Sequence, residues 1–139
     1  MDQEKISKSL EVTAPFRGTP RMEIKERAYQ YALSAIKLGQ RLQTQEDRVA
    51  WIVGKQYLRS ATSIGANIEE AQSAESRLDF IHKMAIAQKE ARESTYWLRL
   101  MDASQILPDA SMSPLIDETN QLIAIITAIL VKTKKGHPT

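Results

Sequence analysis

The chain contains no cysteine. Disulfides, thiolate zinc centres and cysteine nucleophiles are therefore excluded. Only two histidines are present, whereas a di-iron site in a helical bundle needs two Glu-x-x-His pairs. The nearest approach to such a pair, Asp79-x-x-His82, is a single imperfect half, and no glycine-rich phosphate loop occurs. We therefore expect a protein that is not an enzyme and that uses no metal or cofactor.

Glycine and proline are also scarce, at five residues each in a chain of 139. Their scarcity favours long regular elements over a loop-rich fold. The longest strongly apolar run, residues 122–131, is far shorter than the roughly 20 residues that cross a bilayer. The N-terminus lacks the apolar stretch of a signal peptide. We expect one cytoplasmic domain that does not enter a membrane.

Apolar residues recur at alternating steps of four and three along four stretches, which is the pattern of helices packed in a bundle. Polar residues suited to helix starts precede three of them: Thr44 with Asp47, Ser76 with Asp79, and Ser113 before Pro114. The predicted helices cover residues 21–42, 45–73, 76–103 and 114–133. These features predict an all-α fold, an up-down-up-down antiparallel four-helix bundle over residues 21–133. Residues 1–20 are expected to form an arm, flexible unless docked on a partner subunit, and residues 134–139 a tail.

The second predicted helix carries a polar set at helical spacing: Arg59, Ser63, Asn67 and Glu70. If the second and third helices form a hairpin centred between residues 74 and 75, Arg59 lies level with Glu90. One interpretation is a structural polar network of these residues that fixes the register between the helices, since buried polar groups must be paired. The other is a binding site. We favour the network and predict that Arg59 and Glu90 form an ion pair.

The net charge is only +2, but residues 21–42 carry an excess of three positive charges. Such a local excess is more typical of a solvated helix face than of a nucleic-acid footprint. If nucleic acid is bound, the candidate contacts are Arg21, Lys25, Lys37 and Arg41.

Two further features concern packing. Gly54 and Gly65 lie inside the second helix, where glycine costs about 1 kcal/mol relative to alanine. A close approach between helices is the reason we expect for them. Four large apolar residues lie away from the central seams and predict an interface between subunits: Trp51, Leu58, Tyr96 and Trp97.

The segment QYLRSATSIGANIEEAQSAESRLDFIHKMAIAQKEARESTYWLRLM, residues 56–101, resembles the signature of the small bacterial four helix bundle proteins. That family is related to proteins encoded in intervening sequences of large-subunit ribosomal RNA genes, and to the accessory variability protein of diversity-generating retroelements. The matching positions include Leu58, Arg59, Ser60, Ser63, Ile64, Asn67, Ile68, Glu70, Ala71, Ser76, Asp79, Phe80, Lys83, Ala87, Glu90, Tyr96, Trp97 and Leu98.

The resemblance implies a four-helix bundle that assembles into a ring-shaped homopentamer. It also implies that retroelement relatives bind nucleic acid and a reverse transcriptase-like protein through basic surfaces, whereas most members have no assigned activity. Our leading hypothesis is therefore a non-enzymatic, oligomeric interaction scaffold. The alternative is an RNA- or DNA-binding accessory protein that uses basic helix surfaces.

Overall fold

A computed structural model describes residues 22–136 of the chain. Four helices account for most of this range: α1 (Ile24–Gln43), α2 (Arg48–Gln72), α3 (Arg77–Ala103) and α4 (Ser113–Lys134). No strand occurs among the described residues. The predicted all-α, up-down-up-down four-helix bundle is confirmed. The predicted arm, Arg21 and the last three residues of the tail lie outside the described residues.

The helix starts show which capping predictions hold. Ser76 caps α3 as predicted, because its hydroxyl accepts a hydrogen bond from the Asp79 backbone N–H at 3.0 Å. Helix α2 starts later than predicted, because its cap is Asp47, which accepts from the Val49 N–H at 3.0 Å. Thr44 instead donates back to the Arg41 carbonyl at the end of α1. Ser113 is the first residue of α4 rather than its cap.

The predicted seams form one core. Helix α2 packs between α1 and α3, and α4 packs mainly against α3, with fewer contacts to α1. Large side chains from all four helices are fully buried there, including Tyr31, Tyr57, Met84, Leu98 and Leu122. Burial of one leucine-sized side chain stabilises the fold by about 1.5–3 kcal/mol. The core therefore holds α2 and α3 from two sides, and the seam between α1 and α4 is the least packed.

Helix α4 is long and apolar enough, by length and composition alone, to cross a membrane. The helix is considerably longer than the apolar run that the sequence shows at residues 122–131. Leu122 and Ile126 are nevertheless fully buried in the core, as is the acidic Glu118, which binds an arginine of α1. These contacts make α4 a core helix of the bundle. Core helices can be as long and as apolar as helices that cross a membrane.

The two glycines inside α2 face α1 but have different surroundings. A Cβ at Gly54 would lie 2.7 Å from Leu42 Cδ1 and 3.2 Å from Leu42 Cβ, closer than real contacts allow. A Cβ at Gly65 would lie 3.5 Å from the carbonyl oxygen of Ala28, an ordinary contact distance. Close packing therefore explains Gly54. At Gly65 the neighbouring backbone leaves room for a methyl group.

This difference predicts opposite effects for two matched substitutions. Gly65→Ala should raise the free energy of unfolding by up to about 1 kcal/mol, through the better helix propensity of alanine. Gly54→Ala gains the same propensity but forces Leu42 to move, and overpacking a core costs about 1–3 kcal/mol. We expect a net loss of stability. Urea denaturation of both variants checks this, and equal effects would contradict it.

Candidate interaction surfaces and the polar core

A buried ion pair joins α1 to α4. Arg27 Nε lies 2.8 Å from Glu118 Oε2, and Arg27 Nη2 lies 2.8 Å from Glu118 Oε1. The Arg27 and Glu118 side chains are only 6% and 0% exposed. Gln121 also accepts a hydrogen bond from Arg27 Nη2. The hydrogen bond to Glu118 raises the pKa of Arg27 above its ordinary value, so the guanidinium stays charged.

A chain of hydrogen-bonded hydroxyl groups lies in the core next to this pair, since Thr119 follows Glu118 in α4. The Tyr57 hydroxyl donates to Tyr31 Oη at 2.9 Å, and Tyr31 Oη lies 2.6 Å from Thr119 Oγ1. Thr119 Oγ1 donates to the Leu115 carbonyl, so Tyr31 must donate to Thr119. Burial raises the pKa of Tyr31 to about 12 and that of Tyr57 well above its ordinary value. Both phenols therefore stay protonated and can donate.

A third polar contact joins α2 to α3. The Ser60 and Ser94 hydroxyl oxygens lie 2.8 Å apart, and both side chains are buried. These buried polar contacts cross three helix pairs: α4 with α1, α1 with α2, and α2 with α3. A partly buried hydrogen bond from Gln88 to Thr127 joins α3 to α4. The sequence analysis missed Arg27 and Glu118. The sequence feature that could have identified them is their position next to a seam residue: Arg27 precedes Ala28, and Glu118 precedes Thr119.

The buried polar residues form one polar core. Its members are paired with one another and enclosed by the helices. Within residues 22–136, no group of three or more His, Cys, Asp or Glu side chains is arranged to hold a metal.

The predicted ion pair between Arg59 and Glu90 is wrong. Arg59 Nη2 instead donates to Glu93 Oε2 at 2.9 Å, and Glu70 pairs with Lys83 at 2.9 Å. The prediction assumed that both helices leave the turn at the same level. The small side chains of Ser60 and Ser94 let the two helices approach and fix their register. Each α2 residue therefore lies opposite an α3 residue about one turn later in the sequence than the prediction assumed.

The other members of the predicted polar network do not bridge helices. Ser63 donates to the Arg59 carbonyl and Asn67 donates to the Ser63 carbonyl, both within α2. Glu90 is half-buried, and its Oε2 atom is buried without a hydrogen-bond partner. The five residues therefore form separate local contacts rather than one site.

The candidate nucleic-acid contacts also separate. Arg21 lies outside the described residues. Lys25 Nζ lies 3.7 Å from Glu69, and the largely buried Arg41 donates to Asp109 at 2.7 Å. Among the described residues of this set, only Lys37 is both exposed and without an ion pair. Arg41 is therefore held by the loop before α4 and is not available to a phosphate.

Three of the basic residues for which the described part of the chain shows no ion pair lie together on the outer side of α3. Lys89, Arg92 and Arg99 are exposed, and the exposed Tyr96 lies between them. The four residues step by three, four and three, so they share one side of the helix. We call them the basic stripe.

The first exposed apolar surface lies along α1 and α2. The α1 face consists of Tyr29, Leu33, Ile36, Trp51 and Leu58. The ion pair of Lys25 with Glu69 and the packing of Leu58 over Gly39 place these sides of the helices together. Tyr29 is 53% exposed and Ile36 40% exposed. An open depression of about 400 Å³ lies at this face, lined by Trp51, Lys55, Gln56, Leu58, Arg59 and Thr62.

The second exposed apolar surface lies along α2 and α3. We call Val49, Ile52, Tyr96, Trp97 and Leu100 the α3 face. Ile52 and Leu100 each lie seven residues, about two turns, from the paired Arg59 and Glu93, which places them at the same level of the two helices. Trp97 Nε1 donates to Glu93, the carboxylate that also holds Arg59, and the Tyr96 and Trp97 rings meet edge to face at 5.2 Å. Ile52 is 60% exposed.

The four apolar residues singled out in the sequence therefore belong to two faces. Trp51 and Leu58 lie on one, and Tyr96 and Trp97 on the other. Of the four, Tyr96 is exposed and the remaining three are half-buried. The smaller exposed side chains beside them, such as Ile36 and Ile52, carry much of the apolar surface.

Comparison with known proteins gives one family. Residues 20–128 match the family model described as 23S rRNA-intervening sequence protein. The crystal structure of a protein of unknown function from the S23 ribosomal protein family of Bacteroides thetaiotaomicron is similar, with a TM-score of 0.70 and 33% identity. The match covers 78% of this chain and 98% of that chain. Among curated proteins, none matches the chain.

Proposed function

The chain belongs to the 23S rRNA-intervening sequence protein family, and we propose that it acts as a non-enzymatic, cytoplasmic scaffold built from several copies of itself. The observation that carries this proposal is the presence of two separate exposed apolar faces. Soluble monomers rarely expose contiguous apolar surface of this kind, and its usual role is contact with a partner. The α3 face also contains Trp97 and Tyr96, two of the residue types that dominate binding energy at interfaces.

Two different faces favour a ring. If the α1 face of one copy packs on the α3 face of the next, every copy uses both surfaces, and the assembly closes when the rotation completes a circle. The resemblance of residues 56–101 to ring-forming relatives supports five copies.

Two substitutions test this arrangement. Ile36→Glu places a charge in the α1 face, and Ile52→Glu places one in the α3 face. We expect each variant alone to be a monomer by light scattering at micromolar concentration, where the wild type is an oligomer. A mixture of the two should form a 1:1 dimer and stop there, because only one compatible pair of faces remains.

Ala124→Glu is the matched control, since Ala124 is exposed on α4, which contributes to neither face. It should leave the oligomer intact. A wild type that is monomeric at micromolar concentration would refute the proposal. If the mixture stays monomeric while each variant is folded, the contact does not join the α1 face to the α3 face.

A second candidate function is the binding of RNA or DNA, and the basic stripe favours it. Three unpaired cations and an aromatic ring on one side of a helix combine phosphate contacts with a surface for base stacking. The stripe spans residues 89–99, about 15 Å of helix, so one copy can meet only a few phosphates. A ring would multiply the phosphate contacts by avidity. Tyr96 also belongs to the α3 face, so it is free to stack on a base only where no neighbouring copy covers it.

Binding by the stripe should be weak, insensitive to sequence and lost at high salt. Replacing Lys89, Arg92 and Arg99 together with glutamine should abolish any mobility shift of a single-stranded oligonucleotide. Lys37→Gln is the control and should change little. Binding that survives high salt, or that discriminates sequence, would contradict this mode.

A further inference from the structure

Tyr96 is the exposed aromatic ring of the α3 face, since its side chain is 53% exposed. Its ring meets the Trp97 ring edge to face at 5.2 Å, and Trp97 Nε1 donates to Glu93 Oε2 at 3.1 Å. Glu93 is in turn held by Arg59. Tyr96 is therefore an exposed ring on a supported site, and such a ring loses little conformational freedom when a partner covers it.

The depression beside Leu58 has the character of a site for an aromatic ring. It has a volume of about 400 Å³, and the half-buried Trp51 and Leu58 give it apolar lining. Lys55, which also lines it, is exposed and forms no ion pair with the described residues. An ammonium group beside an apolar surface attracts the electron-rich face of an aromatic ring. The exposed Gln56 offers an amide to a phenol hydroxyl at the same place.

Tyr96 and the depression lie at the same level of the bundle. Ser60 meets Ser94 across the antiparallel helices α2 and α3, so Leu58, two residues before Ser60, is level with Tyr96, two residues after Ser94. Both apolar faces run along the helices, so copies joined through them stand side by side. Neighbours in a closed ring are related by a rotation without a shift along the ring axis. Residues at one level of neighbouring bundles therefore meet.

We propose that Tyr96 of each copy inserts into the depression beside Leu58 of the next copy, an inference that rests on the proposed self-assembly. The ring of Tyr96 then packs on Trp51 and Leu58, and its face lies against the Lys55 ammonium. Interfaces obtain most of their binding energy from a few aromatic side chains in pockets of this kind. The same contact selects one level of packing between copies.

A photo-cross-link tests the position of Tyr96 in the full chain. Tyr96 is replaced by p-azidophenylalanine, in which an azide takes the place of the hydroxyl, and unlabelled and nitrogen-15-labelled proteins are refolded together. Illumination should join the new residue to residues 49–59 of a differently labelled chain, which trypsin releases as peptides that end at Lys55 and Arg59. Lys89 is the control position, because it is exposed on the same side of α3 but lies level with Gly65, beyond the depression. It should not give this product.

Substitutions test the energy of the same contact. Tyr96→Ala should raise the dissociation constant of each contact between copies by at least about thirtyfold, as expected for an aromatic anchor, whereas Tyr96→Phe keeps the ring and should assemble nearly as well as the wild type. Lys55→Met keeps the apolar stem and removes the charge, and it should weaken each contact by about two- to fivefold. The Lys55→Met change should have no further effect in the Tyr96→Ala background.

The outcomes separate this contact from self-assembly itself. If the wild type is an oligomer but the cross-link between chains is absent, or equals that from position 89, the proposed insertion is overturned and self-assembly stands. A Tyr96→Ala variant that is folded by circular dichroism and assembles like the wild type would also overturn the insertion. A wild type that is monomeric by light scattering would refute self-assembly, and the insertion with it.

Discussion

The buried pair of Arg27 and Glu118 is the contact on which the closed bundle depends. The backbone of α4 runs close to that of α3 over much of its length and approaches that of α1 at fewer positions. The two hydrogen bonds of the pair cross the seam between α1 and α4, and Gln121 and the contact between Tyr31 and Thr119 lie beside it. Taking two charges out of water is costly, and only a bidentate, fully paired geometry offsets that cost. The pair of Arg27 and Glu118 has this bidentate geometry.

The remaining polar contacts fix the positions of the helices relative to one another. An apolar seam with a repeat of seven can slide by a turn at modest cost, whereas a buried hydroxyl that loses its partner costs about 1–3 kcal/mol. The chain from Tyr57 through Tyr31 to Thr119 sets α1 against α2 and α4, and the contact between Ser60 and Ser94 sets α3 against α2. The surface follows from this register. Ile52 lies level with Leu100, since each is about two turns from the pair of Arg59 and Glu93, and Leu58 packs over Gly39, about one turn from Ile36.

The helices, the capping by Ser76 and the four-helix architecture could be predicted because they follow from local spacing and capping chemistry. The hairpin register could not, since it depends on where Ser60 meets Ser94, a contact between distant residues. Arg41 could be predicted as a candidate phosphate contact but not as a partner of Asp109, because the sequence does not show that these two distant residues meet. Arg27 and Glu118 were overlooked for a related reason. A charged residue beside a seam is usually solvated, and only the position of α4 against α1 buries these two together.

Removing one charge of the buried pair tests this account most directly. Glu118→Gln keeps the size of the side chain but leaves the Arg27 guanidinium buried without a counter-charge. Its free energy of unfolding in urea should fall by about 3–5 kcal/mol, whereas Glu69→Gln, in the exposed pair with Lys25, should change it hardly at all. Hydrogen exchange should show that the backbone amides of α1 and α4 lose protection before those of α2 and α3. A Glu118→Gln variant as stable as the Glu69→Gln control would contradict the account.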